Sequence, residues 1–213
     1  AVPLGLGVAV YLSEFARPRV RRVLKPIVEV LAGIPSVVLG YFAISFINPN
    51  IVTVLAPGAN KAFNIAAAGV AVGILTIPII ASVAEDALRA VPLSLREASY
   101  GLGARRVATT FRVVLPASIS GVVAALILGI SRAVGETMIV VMAAGLAANL
   151  SINPLDAVTT ITVQIATLLV GDQEFDSPKT LSAFALGFVL FFFTLVLNYI
   201  ALRIVQKYQE QYD

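Results

Sequence analysis

Residues 91–116 read VPLSLREASYGLGARRVATTFRVVLP, a polar stretch with four arginines that lies between two long apolar segments. Ser94 and Glu97 have the spacing of a capping box, in which each side chain satisfies a free backbone N–H group at the start of a helix. Pro92 precedes them and discourages an upstream helix from continuing through this point. The pattern therefore predicts that a new, short helix begins near Ser94.

The same stretch also predicts where that helix ends and what it faces. Gly101 and Gly103 can end a helix with little strain, because glycine readily adopts the left-handed backbone conformation found there. The residues of the stretch are largely polar, so we expect the helix to face water. Three leucines remain available to the groove of a partner protein: Leu93, Leu95 and Leu102.

The composition of the whole chain is that of a membrane protein. Among its 213 residues 59% are hydrophobic and 13% are charged, and the mean hydropathy is +0.94, whereas a soluble domain has about 25% charged residues. The sequence has no Cys and no His, which excludes disulfides, Cys/His zinc sites and a histidine general base. The net charge of +3 does not indicate nucleic-acid binding, because the basic residues lie beside apolar segments.

Several uncharged stretches are long enough to cross a bilayer, for which about 20 apolar residues are needed. Three of them are Val30–Ile47, Ala62–Ala84 and Thr180–Leu202. A fourth stretch, from about Ala117 to Ala144, predicts a long or tilted helix. The apolar run Ala1–Ser13 is interpreted as the inner half of a helix whose beginning is missing. The predicted fold class is therefore all-α: a polytopic membrane helical bundle of five spans, in a single transmembrane domain over residues 1–213.

Proline and glycine recur inside these predicted spans, and Pro35 and Pro78 are the two prolines concerned. Small residues allow helices to pack closely, whereas kinks allow helices to rock during a conformational change. The two interpretations are compatible, and we expect close packing to be the main role.

Basic residues are distributed very unequally between the two sides of the predicted spans. Twelve follow the first, third and last spans: Arg17, Arg19, Arg21, Arg22, Lys25, Arg89, Arg96, Arg105, Arg106, Arg112, Arg203 and Lys207. The opposite side has only Lys61 and Lys179. The positive-inside rule then places the Ala1 end outside, and it places the loop at about 85–116 and the Asp213 tail in the cytoplasm.

The segment Ala157–Gly171 is uncharged but rich in Thr and Gln. If it spanned the membrane, the basic tail would be forced to the outside, against the positive-inside rule. We therefore interpret it as an external or re-entrant helix, within an external segment at about 146–179. Three acidic residues form an outer loop beside it: Asp172, Glu174 and Asp176.

Arg132 and Glu136 are the two charges in the fourth predicted span. A central Arg disfavours membrane insertion by roughly 2.5–3.5 kcal/mol, so we expect neither side chain to face lipid. Because they are four residues apart, they would share one helix face. Ionisable residues within a membrane are functional by default, so we predict a functional site at this pair, beside the hydroxyl groups of Ser131 and Thr137.

This pair suggests an oxyanion as the substrate. The Arg132 guanidinium could donate two parallel hydrogen bonds to phosphate-like oxygens. Glu136 could accept a hydrogen bond from a protonated oxyanion, which would favour hydrogen phosphate over sulfate, or it could hold Arg132 in place. The alternative is an internal salt bridge with a structural role alone.

The stretch at 91–116 closely resembles the EAA loop of ABC importer permeases. That loop reads Glu-Ala-Ala, three residues, Gly, nine residues, an aliphatic residue, any residue and Leu-Pro. The chain has Glu97-Ala98-Ser99, Gly103, Val113 and Leu115-Pro116 at those spacings, with Ser for the second Ala and Val for Ile.

In that family the short helix is a coupling helix that docks into a cleft of a partner ATPase. The resemblance therefore implies that this contact includes Ser94, Arg96, Glu97, Ala98, Ser99 and Gly103. The alternative is an ordinary amphipathic helix that lies on lipid.

The segment Arg132-Ala-Val-Gly-Glu-Thr137 is similar to the phosphate ABC transporter permeases. Asn153-Pro154, Gly171-Asp172, the Phe-rich last span and the tail from Lys207 resemble their PstC-type member. The resemblance implies a MetI-like (ABC type I importer) fold and a non-enzymatic permease subunit. Such a subunit would lie in a bacterial or archaeal cytoplasmic membrane and pass inorganic phosphate inward by alternating access.

The resemblance also implies partners. They are a dimeric PstB-type ATPase, a PstA-type second permease, an extracytoplasmic PstS-type phosphate-binding protein and membrane lipid, and no nucleic acid. The sequence has no Gly-x-x-x-x-Gly-Lys-Ser/Thr phosphate loop, so we expect this subunit to bind no cofactor and the partner ATPase to bind ATP and Mg²⁺. There are three rival interpretations. The first is an importer permease for sulfate, molybdate, phosphonate or amino acids, and the second is a secondary transporter or channel that works without ATP. The third is an integral-membrane enzyme, which is disfavoured because a catalytic site is hard to assemble without His or Cys and with one intramembrane carboxylate.

Overall fold

The structure is a computed structural model, and it describes residues 1–57, 62–171 and 174–207. Helices and no strands occur in this part of the chain. In chain order they are α1 (Val2–Phe15), α2 (Pro18–Ala32), α3 (Ser36–Leu55), α4 (Ile65–Ala90), α5 (Leu93–Gly101), α6 (Arg106–Ala117), α7 (Ile119–Val134), α8 (Met138–Ala143), α9 (Ile161–Leu168) and α10 (Pro178–Lys207). The predicted all-α class is confirmed. Lys61, Asp172 and the tail beyond Lys207 lie outside the described residues.

Three of these helices, α3, α4 and α10, are long and apolar enough to cross a membrane. Helix α4 overlaps the predicted span Ala62–Ala84, and α10 contains the predicted span Thr180–Leu202. A fourth crossing exists if α6 and α7, which meet at an angle of 72°, count as one span. α1 is apolar but shorter than a span. The five predicted spans include the half-helix Ala1–Ser13, which corresponds to α1. Beside it, the described residues contain three or four helices of spanning length.

The second predicted span, Val30–Ile47, begins too early. The chain leaves the helical conformation after Ala32, and α3 starts at Ser36. Pro35 has an extended backbone, with φ −58° and ψ 133°, so it stands before the helix and not inside it. The physical reason is that proline disfavours a helical conformation of the residue before it.

The predicted span Val30–Ile47 also ends too early. α3 continues past Ile47 to Leu55 although Pro49 lies inside it. Around this proline, over Ala43–Val52, the helix widens into π-helical turns. Hydrogen bonds in such turns join residues five apart, so the helix adapts locally to the missing N–H group of the proline.

The fourth predicted span is wrong as a single helix. α7 ends at Val134, and α8 begins only at Met138. Gly135 in the break is a poor helix former. The Glu136 carboxylate accepts a hydrogen bond from the Ile139 backbone N–H group at 3.3 Å, which satisfies a free donor in the first turn of α8.

The chain divides into two compact units. Unit 1 comprises Ala1–Gly33, Thr76–Ser131 and the chain from Asn198. Its core consists of small and aliphatic side chains: Ala9, Ala84, Leu88, Val91, Val114 and Ala125. A Cβ atom added at Gly5 would lie 2.8 Å from Ile80, and one added at Gly129 would lie 2.7 Å from the same side chain. Glycines therefore let α1 and α7 pack closely against α4.

Unit 2 comprises Ile34–Leu75 and Arg132–Leu197. Its core includes Ala43, Ile47, Ala67, Ala71, Leu75, Ile139, Ala143 and Val163. The predicted helix within Ala157–Gly171 is present as α9, whose eight residues are too few to span a bilayer. Its Val163 is fully buried, so α9 packs into the core of unit 2.

Candidate functional site

The short helix α5 begins two residues earlier than the capping-box pattern predicts. Pro92 occupies the position before the helix, and no side chain caps its start. Ser94 and Glu97 are consequently already inside the helix, and both are exposed. The capping-box prediction is therefore wrong, because Pro92, with an extended backbone, occupies the N-cap position that the pattern assigns to Ser94.

The predicted end of α5 is confirmed at Gly103. This residue has φ +80°, which favours glycine. Its N–H group donates to Tyr100 O at 2.9 Å, and the Ala104 N–H group donates to Ser99 O at 3.1 Å. These two bonds form a Schellman motif, which closes the helix firmly. Gly101 is the last helical residue.

The six residues predicted to contact an ATPase lie on different sides of α5. Four of them are exposed: Ser94, Glu97, Ala98 and Gly103. Leu93 and Leu102 are also exposed, at 71% and 90%. We define the outer face of α5 as Leu93, Ser94, Glu97, Ala98 and Leu102. This face presents two large exposed apolar side chains beside a carboxylate, and the apolar side chains of a helix can fill the groove of a partner protein.

Ser99 and Arg96 turn away from that outer face. Ser99 is buried and shares a hydrogen bond with Thr109 at 2.9 Å, which joins α5 to α6. Arg96 is 13% exposed, and its Nη1 donates to both carboxylate oxygens of Glu14 at 2.6 Å. The Arg96 Nη2 group also donates to Leu88 O at 2.7 Å. Both side chains therefore attach α5 to its own unit.

A second buried carboxylate lies close to α5 along the chain. Glu85 of α4 is fully buried, and Arg21 of α2 contacts it at 2.6 Å. Lys25 Nζ lies 3.3 Å from Glu85 Oε2, without hydrogen-bond geometry, and 3.1 Å from Asp86 Oδ1. Burial acts to lower the pKa of Lys25, but its hydrogen bond to Asp86 and the negative charges of Glu85 and Asp86 outweigh it and raise that pKa above 10.5. Lys25 is therefore charged at neutral pH.

Neither buried carboxylate was predicted as a functional residue, although the sequence contains a signal for both. Glu14 directly follows the uncharged run Ala1–Ser13, and Glu85 directly follows Ala62–Ala84. A carboxylate at the end of an apolar helix must reach water or find a cation. The partners could not be chosen from the sequence, because they lie 82 and 64 residues away.

Arg132 and Glu136 do come together in unit 2, but not on one helix face. Arg132 lies in the last turn of α7, and Glu136 lies in the break before α8. The Arg132 Nη2 and Glu136 Oε2 atoms are 3.8 Å apart. The Glu136 side chain is 3% exposed, whereas that of Arg132 is 49% exposed. The expected shared face is wrong because the helix stops at Val134.

The contacts between Arg132 and Glu136 leave the hydrogen-bond donors of the Arg132 guanidinium available to a ligand. At 3.8 Å the ion pair is too long for a hydrogen bond, and within the described residues the Arg132 side chain donates none. Ser131 is exposed, and the Thr137 hydroxyl donates to Gly135 O at 3.3 Å. The arrangement can therefore hold a positive charge in place and still offer its donors to an oxyanion.

Metal binding has no support in the described ranges. No group of three or more His, Cys, Asp or Glu side chains there could hold a metal ion.

Comparison with known proteins gives a family match along nearly the whole chain. Residues 1–210 match the sequence profile of the family described as "Binding-protein-dependent transport system inner membrane component". The chain is 34% identical, over 95% of its length, to the probable ABC transporter permease protein YqgH of Bacillus subtilis. It is also 34% identical, over 94% of its length, to the phosphate transport system permease protein PstC of Mesorhizobium japonicum. The chain spans 66% of the length of each of these relatives.

A solved structure supports the fold. The methionine ABC transporter MetNI, in an inward-facing conformation, contains a chain that matches with a TM-score of 0.73 at 21% identity. The match covers 97% of this chain and 86% of that one. The expected MetI-like fold is therefore confirmed.

Proposed function

Because the chain belongs to the family of inner membrane components of binding-protein-dependent transport systems, we propose that it is the permease subunit of an ATP-driven importer of inorganic phosphate. Its similarity to a PstC protein supports phosphate as the solute. A subunit of this kind passes the solute by alternating access between outward-facing and inward-facing states. It performs no covalent chemistry itself.

The observation that carries the choice of solute is the environment of Arg132. Its guanidinium is half-exposed and lies 3.8 Å from a buried carboxylate. A guanidinium with unused donors suits a tetrahedral oxyanion, to which it can form two parallel hydrogen bonds. Glu136 keeps the cation in position without occupying its donors. Ser131 and Thr137 would add hydroxyl groups to the same pathway.

The energy would come from a partner ATPase, on which ATP and Mg²⁺ would bind. The outer face of α5 is the proposed docking surface, because its leucines and Glu97 are exposed while Arg96 and Ser99 anchor the helix from behind. A second permease subunit of PstA type would complete the pathway. A PstS-type phosphate-binding protein would deliver the solute from outside.

The proposed location is the cytoplasmic membrane of a prokaryote. The excess of basic residues on one side supports an orientation with α5 and the C-terminal tail in the cytoplasm.

The test is phosphate uptake by the assembled importer with Arg132→Ala. The chain is co-expressed with candidate ATPase and second-permease subunits, and uptake of labelled phosphate is measured in membrane vesicles. We expect uptake to fall by at least about tenfold, with the subunits still co-purifying, because a charge-assisted hydrogen-bond donor is lost. The exposed arginine Arg19→Ala is the matched control and should transport normally.

Two results would contradict the proposal. Normal phosphate uptake in Arg132→Ala would remove this residue from the pathway. Loss of subunit assembly in the same variant would assign Arg132 a structural role.

A further inference from the structure

Arg96 has the sequence position of a docking residue, yet its side chain points into unit 1. Its Nη1 donates to both oxygens of Glu14 at 2.6 Å, and its Nη2 donates to Leu88 O at 2.7 Å. The Ser13 hydroxyl donates to the same carboxylate at 2.8 Å. The end of α1, the last turns of α4 and the helix α5 therefore meet at one ion pair, which we call the Glu14–Arg96 clamp.

The clamp is well protected from water. The Glu14 side chain is 3% exposed and that of Arg96 is 13% exposed. Every oxygen of the carboxylate accepts a short hydrogen bond from the guanidinium. Removing one partner of such a pair leaves an uncompensated buried charge, which is strongly unfavourable. The clamp should therefore stay closed while the segments that it joins move together.

The connections of α5 explain why a clamp is needed. The helix is joined to α4 through the non-helical Val91–Pro92 and to α6 through the turn after Gly101. Connections of this kind allow a nine-residue helix to pivot. Ser99 ties α5 to α6 through Thr109. In the described part of the chain, the clamp is the one ion pair that ties α5 to α1.

We propose that Glu14 and Arg96 are positioning residues that make α5 and α1 move as one body, so that force applied to α5 reaches the first apolar helix. This inference rests on the proposed function, since it assumes that a partner ATPase pushes on the outer face of α5. It assigns Arg96 to transmission of movement and removes it from the docking contact. Without the clamp, α5 would follow the ATPase while α1 stayed behind.

The experiment compares hydrolysis with transport in the assembled importer. Glu14→Gln keeps the size of the side chain but removes the negative charge, and Arg96→Gln removes the positive charge. Purified importers with each variant are reconstituted in liposomes, and labelled phosphate uptake and ATP hydrolysis are measured together. We expect assembly and hydrolysis to remain within about twofold of the wild type while uptake falls by about tenfold or more, because a buried pair is broken. The ATP hydrolysed per phosphate then rises by about fivefold or more.

The controls separate this role from others. Arg112→Gln changes an exposed arginine of the same unit and should leave the ATP hydrolysed per phosphate taken up unchanged. The exchange Glu14→Arg with Arg96→Glu restores the pair with reversed charges and should recover part of the lost uptake. A wild-type importer that hydrolyses ATP without phosphate uptake would contradict the proposed function, and the same variants would then be compared by ATP-driven uptake of the solute that it does carry.

Two outcomes would overturn the proposed role of the Glu14–Arg96 clamp. One is an unchanged ratio of hydrolysis to uptake in both single variants. The other is loss of subunit assembly in both, since this would give the pair a purely structural role.

Discussion

Glu14, Glu85 and Glu136 are buried glutamates, and each lies beside an arginine. The distances distinguish their roles. Glu14 and Glu85 contact their arginines at 2.6 Å, whereas Glu136 lies 3.8 Å from Arg132. A short, buried pair uses its donors and fixes two segments. The longer pair leaves the guanidinium half-exposed, with donors to offer to a solute.

The role of Glu136 can be tested with Glu136→Gln. The amide keeps an acceptor for the Ile139 N–H group but removes the negative charge beside Arg132. We expect phosphate uptake to fall by about tenfold and unlabelled sulfate to compete more strongly, because discrimination by the carboxylate is lost. The measurement is labelled phosphate uptake in the presence of sulfate, with the exposed Glu29→Gln as control. Unchanged competition by sulfate would exclude Glu136 from selecting the protonated oxyanion.

Among the helices, α2 is attached in an unusual way. It has no buried residue, and its apolar side chains Val23 and Val30 are 60% and 72% exposed. Its charged side instead contacts α4, through Arg21 and Lys25. Ion pairs to Glu85, and not a hydrophobic core, therefore hold this helix in unit 1.

This attachment predicts that Glu85→Gln loosens α2. The variant leaves Arg21 and Lys25 without their common partner, and we expect a loss of about 3 kcal/mol in unfolding free energy, as for other broken buried pairs. Asp86→Asn is the matched control, since the Asp86 side chain is 66% exposed and a surface pair contributes less than about 1 kcal/mol. Thermal unfolding and the rate of trypsin cleavage within α2 measure the difference. Equal cleavage rates in both variants would contradict this account of how α2 is held.

The end of α5 offers a second test at this scale. Gly103 has φ +80°, whereas Gly101 is helical with open space around its Cα. Gly103→Ala should lower stability by about 1 kcal/mol, because alanine is strained in the left-handed region. Gly101→Ala should be neutral or slightly stabilising, by up to about 1 kcal/mol, because alanine favours a helix. Thermal unfolding of the purified importer distinguishes them, and an equal effect of both substitutions would rule out the Schellman closure.

At the scale of the whole molecule, the proposed functions lie in different units. The outer face of α5 belongs to unit 1, and Arg132 belongs to unit 2. α4, α7 and α10 each contribute residues to both units. In the proposed importer the outer face of α5 lies in the cytoplasm and the segment at about 146–179 lies outside. The orientation of the chain in the membrane can therefore be measured.

The absence of cysteine from the sequence makes this measurement direct. Ser94→Cys places a thiol on the exposed outer face of α5, and Ala148→Cys places one in the predicted external segment. We expect a membrane-impermeant maleimide to label Ala148→Cys in cells whose outer envelope is permeabilised and whose cytoplasmic membrane is sealed. The same reagent should label Ser94→Cys only after the cytoplasmic membrane is disrupted. Labelling of Ser94→Cys in sealed cells would reverse the proposed orientation and exclude docking of a cytoplasmic ATPase on α5.

The sequence alone determined the membrane class, the spans that became α4 and α10, and the short helix that ends at Gly103. These features depend on local properties, namely runs of apolar residues and the backbone freedom of glycine. The tertiary structure alone decided that α3 begins after Pro35, that the fourth apolar stretch breaks at Gly135, and that Arg96 faces Glu14. The reason is distance along the chain: a buried charge selects its partner by packing, and Arg96 lies 82 residues from the carboxylate that holds it.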